Sequence, residues 1–289
     1  MTPFAEALRD RKAERTTMSC LGYSGRAACL LLLGSWWTYR ILRRYFLGQA
    51  KEAKEAKEAK DAGGIEGERC QRKYRSTASF GCSRRAWDHM EGLLKVLVPL
   101  LAMTDEFITG WAEASIHSGV EHAHHGMTYF FFLLSGLADL NPTFLPDLDY
   151  VTLILATVMH AFCIFYDLHG RNSLDSEVHL ILFYVVLACA VSTALEMCYK
   201  NNVLPALCRS YFTLLQGTWY YQVWRLTSHP GEEWEIYSPS QQLVSLLFTW
   251  HVACVFLLVL ACAAFVRRKS DPEPFLLPLN IVQLREMSW

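Results

Sequence analysis

Residues 178–199 read VHLILFYVVLACAVSTALEMCY, a stretch in which Glu196 is the only side chain that carries a full charge at neutral pH. A helix rises about 1.5 Å per residue and the hydrocarbon layer of a membrane is about 30 Å thick, so about 20 mostly apolar residues suffice to cross it. The run is too long for a buried strand and lacks the polar stripe of a surface helix. It predicts a membrane-crossing helix, because a helix satisfies its own backbone hydrogen bonds where no water is available.

Outward from this run the same pattern recurs. Segments 126–145, 150–168 and 243–266 are equally apolar, and 207–226 is nearly so, with Arg209 and Arg225 near its two ends where long side chains can reach the interface. Segments 21–39 and 93–111 are more charged, carrying Arg26 in the first and Lys95, Asp105 and Glu106 in the second. Together they predict an all-α, polytopic integral membrane protein, a bundle of seven transmembrane helices over residues 21–266. An N-terminal extension, 1–20, precedes the bundle, and a tail, 267–289, follows it.

With seven crossings the two ends lie on opposite sides, and Lys and Arg decide which is which. Nineteen of the 27 Lys and Arg residues fall with the odd-numbered loops and the tail, against seven with the amino-terminal segment and the even-numbered loops. That bias predicts a lumenal or extracellular amino terminus and a cytoplasmic tail. Residues 1–20 hold no apolar run of the kind a cleavable signal needs. Met18 would serve equally well as a start, making residues 1–17 an extension. The charged cytoplasmic loop 40–90 contains KEAKEAKEAK at 51–60, which mixes attractive i,i+4 pairs with like-charge i,i+3 neighbours and reads as a solvated helix or linker. Arg40, Arg43 and Arg44 abut the first span and offer an alternative reading as a surface for anionic lipid.

Composition excludes several classes. A net charge of -1 without clustered, aromatic-interleaved basic residues gives no nucleic-acid footprint. Gly63-Gly64 and Gly67 are not followed by the Lys-Ser or Lys-Thr of a phosphate loop, and neither a GxSxG elbow nor HExxH occurs. No catalytic residues are identified. The expected partners are the lipid bilayer and other membrane proteins.

The polar residues of the spans carry a resemblance. His125-Gly126-Met127-Thr128-Tyr129-Phe130-Phe131, Leu174-Asp175 with His179, Leu195-Glu196, Leu215-Gln216-Gly217-Thr218-Trp219 with Gln222, and Trp250-His251 resemble the transmembrane protein 45 family, including its epididymal membrane protein branch. The similarity runs from about residue 25 to about residue 269. It implies a seven-span membrane protein without an assigned activity, in secretory-pathway, endosomal or plasma membranes. The chain departs from that pattern at Leu21, Asp167 and Glu177, which stand where the family has histidine, and at His160, which stands where it has glutamate.

All of the ten histidines but His89 fall on the expected outer side or at mid-depth, giving a histidine-rich lumenal face. Imidazole titrates near neutral pH and ligates metals. If 117–125 is helical, His117, Glu121 and His125 share a face, and His122 neighbours His125. His122, His125, His169 and His179 are candidate ligands for Zn²⁺ or another divalent ion. A haem held by His125, His179 or His251 is a weaker alternative that no spacing demands.

Deeper in the spans, His160, Gln216 and His251 sit near the bilayer centre, in reach of Trp219 and Gln222. With His125, His179 and Glu196 they form the candidate intramembrane polar site, since polar groups in hydrocarbon must find partners. Such a site could serve a metal- or proton-handling transporter or enzyme, or could simply lock the bundle with hydrogen bonds. Glu91 with Lys95, and Glu196 with Lys200, read as local i,i+4 pairs.

Overall fold

The computed structural model describes residues 3–61, 74–78, 90–112, 116–141, 143–168, 173–228 and 241–270. Among them are seven helices and no strand: α1 (Pro3–Asp61), α2 (Met90–Ala112), α3 (Ile116–Leu140), α4 (Leu148–Asp167), α5 (Ser173–Cys198), α6 (Val203–Ser228) and α7 (Gln241–Ser270). Three of them, α4, α5 and α7 from Gln242 onward, are long and apolar enough to cross a membrane. These are the helices whose apolar runs are least interrupted by charge.

α1 is far longer than the span expected at 21–39. Its 59 residues amount to about 90 Å of helix, and the backbone continues through the KEA repeat without a break. Ala, Glu and Lys are strong helix formers, and no proline interrupts residues 40–61, so nothing in that stretch stops the helix.

The helices make an incomplete ring. α2 packs on α3, α3 on α4, α4 on α5, α5 on α6 and α6 on α1, while α7 lies against α1, α6 and the edge of α5. Two close crossings rest on glycine. A β-carbon at Gly136 of α3 would stand 2.7 Å from the Lys95 carbonyl carbon of α2. On α6, a β-carbon at Gly217 would lie 3.0 Å from the Leu31 backbone nitrogen of α1. Small residues that let backbones approach are a device of membrane helix pairs. Among the described residues, α1 and α2 do not pack backbone to backbone. Side chains close that gap.

The distribution of polarity is turned inside out. Glu196, Arg209, Gln216 and Glu91 are buried, whereas Leu93, Leu101, Phe107, Trp250, Phe256 and Phe265 are exposed. α7 is the extreme case, with 11% of its most apolar window buried. In water such outward apolar surface is costly. In lipid it is favourable.

Candidate functional site

The charged residues of the interior gather at two levels. The lower begins with a turn. α5 ends at Cys198 and α6 starts at Val203, so the chain doubles back and Glu196 faces Arg209 across the crossing. Arg209 Nε lies 2.6 Å from Glu196 Oε2 and Nη2 lies 3.3 Å from Oε1, and both side chains are 0% exposed. Two hydroxyls also donate to Oε1: Tyr150 of α4 at 3.2 Å, and Ser76 of the 74–78 segment. This two-point geometry is the strong form of a carboxylate–guanidinium contact.

Arg209 also lies over the Trp37 ring of α1, at 4.2 Å from its centroid. The Trp37 indole donates to Glu91 Oε1 of α2 at 2.7 Å, and Trp36 donates to Oε2 at 3.1 Å. Lys95 stands 3.3 Å from Glu91 Oε1 and 2.6 Å from Asp139 Oδ2 of α3. One continuous network therefore takes at least one side chain from each of α1 to α6. Within it Arg209 Nη1 and Asp139 Oδ1 are buried without a hydrogen-bond partner among the described residues.

The upper level joins α1 to α4. Arg26 donates to Tyr129 at 2.7 Å and to Glu106 Oε1 at 3.0 Å. His122 Nδ1 is 2.6 Å from Glu106 Oε2, and His125 Nδ1 is 3.5 Å from Oε1. On its other side His125 Nε2 is 3.6 Å from Asp167 Oδ2, and His124 Nδ1 is 3.6 Å from Asp167 Oδ1. Arg26 above, and Trp36 and Trp37 below, bridge the α1–α2 gap with hydrogen bonds.

The mid-depth residues are distributed among helix contacts. His160 Nε2 lies 2.6 Å from the Tyr220 hydroxyl of α6. The Trp219 indole donates to the Val178 carbonyl at 2.9 Å, and the His251 ring meets Trp219 edge-on at 5.5 Å. His179 turns to its own helix, with Nδ1 at 2.8 Å from the Asp175 carbonyl. Gln216 is buried and Gln222 half-buried on α6. His160 and His251 thus meet different aromatic residues of α6, and Glu196 pairs with Arg209 instead of with either.

Several local readings change. Lys200 does not pair with Glu196. It lies beyond the end of α5, where i,i+4 spacing no longer applies, and it pairs with Asp147 before α4. Arg209 does not reach an interface but is enclosed. Glu91 and Lys95 are paired as expected, yet both belong to the larger network. Of the candidate ligands, His122 and His125 converge on Glu106, His179 stands apart, and His169 lies outside the described residues. Among the described residues no group of three or more His, Cys, Asp and Glu side chains is placed to hold a metal ion.

Spacing alone does not single out Glu106, Asp139, Tyr150, Trp37 or Ser76 as site residues. A signal existed for Asp139. Asp139 and Lys95 are lone opposite charges at corresponding depths of spans expected to be neighbours, which is how ion pairs arise in lipid. At the network's edge, burial pushes the Tyr74 phenol up from its ordinary value.

The features on hand define a helical protein with three helices fit to cross a membrane and with its charged groups turned inward. Residues 146–224 match the model of a family of unknown function, DUF716. That stretch covers α4, α5 and most of α6, and contains Tyr150, Glu196 and Arg209.

Proposed function

We propose that the chain is a seven-span membrane protein of the transmembrane protein 45 type, with its amino terminus lumenal or extracellular and its tail cytoplasmic. It acts through membrane-embedded packing and contacts with partner proteins, without chemistry of its own. The match over residues 146–224 supports the family assignment, because that family carries the DUF716 domain.

The network centred on Arg209 and Glu196 carries the reading. Its charged groups are paired with one another: among the described residues each of its carboxylates, Glu196, Glu91 and Asp139, has a cationic or hydroxyl donor within reach. Buried ionic groups used this way fix which helices meet and in what register. Carbonate extraction tests the membrane assignment, with the protein expected in the pellet. Recovery in the supernatant would overturn it.

The upper cluster favours a second reading, a site that handles a proton; its divalent-ion form would need these side chains to draw closer, since among the described residues no three of them are placed to hold a metal. Three histidines and two carboxylates face one another there, from three helices, on the side expected to be lumenal.

A further inference from the structure

The lower network has one member that belongs to no helix. Ser76 lies in the long connection between α1 and α2, yet it is only 2% exposed, and Ala78 is 0% exposed. Its amide donates to the Lys200 carbonyl beyond the end of α5 at 2.7 Å, and its hydroxyl donates to Glu196. Arg44 of α1 holds the neighbouring Thr77 hydroxyl at 2.9 Å, and the Tyr45 and Tyr74 rings meet edge-on at 5.9 Å. A short piece of a polar connection is therefore seated in the bundle, with its serine on the innermost ion pair.

The seating is chemically exacting. Glu196 is a carboxylate already satisfied by Arg209 and Tyr150, so it accepts a hydroxyl proton but would repel any anion in its place. A phosphorylated serine carries nearly two negative charges and only acceptor oxygens. It cannot sit where Ser76 sits. Immediately upstream stand Arg72, Lys73 and Arg75, a run of cations suited to the acidic substrate groove of a base-directed serine kinase.

We propose that Ser76 is a phosphorylation site and that residues 74–78 form a latch which the phosphate releases. The γ-phosphoryl group of ATP passes to Ser76 Oγ, the bond to ADP breaks, and the hydroxyl proton leaves to the kinase's base. Modification takes place on the unseated segment, and repulsion from Glu196 then keeps it from reseating. Access by a cytoplasmic kinase rests on the orientation proposed above; the latch itself does not.

Trypsin cleavage after Lys73 in the purified full-length protein, where residue 76 is not part of the scissile bond but residues 74–76 must leave their seat to enter the protease, tests the latch without reference to orientation, with cleavage within the KEA repeat as the internal standard. Ser76→Glu should raise the relative rate about tenfold, the change that about 1.4 kcal/mol of lost seating produces. Ser76→Thr, which keeps the hydroxyl, should match the parent, and Glu196→Gln should fall between. Wild-type protein treated with ATP and the purified catalytic domain of a base-directed kinase supplies a second measurement. Phosphate should appear on Ser76 by mass spectrometry, faster in the Glu196→Gln protein, and should raise the cleavage rate. Unchanged cleavage in both Ser76→Glu and phosphorylated protein, or no phosphate on Ser76 in either protein, overturns the proposal. If the latch results hold but the loop proves lumenal in cells, it is the orientation that fails.

Discussion

Replacing Glu196 by Gln leaves Arg209 charged, fully enclosed and short of its counter-ion. Removing one partner of a buried pair costs about 3–5 kcal/mol, because the survivor's charge is left uncompensated. The upper part of that range applies here: the pair has contacts at 2.6 and 3.3 Å, and both side chains are 0% exposed. Arg209→Met should cost a similar amount, and additionally removes the cation over Trp37. The double variant, Glu196→Gln with Arg209→Met, leaves no buried charge and should be more stable than either single variant. For a chain of this size, about 2–4 °C of Tm accompanies each kcal/mol. Each single change should then lower the midpoint by about 8–20 °C, followed by circular dichroism in a mild detergent. The double variant should recover at least half of that loss. Strictly additive losses, or a Glu196→Gln protein with the parent's midpoint, would refute the view that this pair is what the interior is organised around.

Packing and ligand content give two further expectations. Gly136→Ala places a methyl group 2.7 Å from the Lys95 carbonyl carbon and 2.8 Å from the Val96 nitrogen, so α2 and α3 must separate. It should cost about 1–3 kcal/mol, while Gly126→Ala on the same helix, with nothing within 4 Å, should be nearly neutral. Equal midpoints for the two variants would contradict the crossing. If the upper cluster holds a divalent ion, elemental analysis of the purified protein should find about one Zn per chain, lost on joint substitution of His122 and His125. A metal-free protein would eliminate the divalent-ion form of that second reading.

How much was legible in the sequence follows from what each feature depends on. α4, α5 and α7 were plain because apolar length alone identifies them, and their charges lie at or beyond the ends. The end of α1 was not, since the KEA repeat is solvated yet strongly helix-forming, and a hydropathy boundary near residue 40 is no backbone boundary. Helix pairing needs rotation about each axis as well as depth. Glu196 was recognised as a deep polar residue, but its partner was sought at Lys200 by counting along a helix that stops at Cys198. The true partner, Arg209, lies across the turn. Asp139 and Lys95 show the same limit, as each was visible alone and their contact depends on Gly136 letting α2 and α3 approach. His122 and His125 lie one turn apart on α3, as helical spacing implies. Their convergence on Glu106, though, required knowing that α2 and α3 fold back against each other.

The proposed threading is tested most directly by placing a different epitope tag at each end and probing intact and permeabilised cells. An odd number of crossings predicts that the amino-terminal tag is reached in intact cells, or in sealed organelles only after the lumen is opened. The carboxyl-terminal tag should be reached only from the cytoplasm. Tags that respond alike, both accessible or both protected under every condition, would contradict seven spans and the orientation built on them.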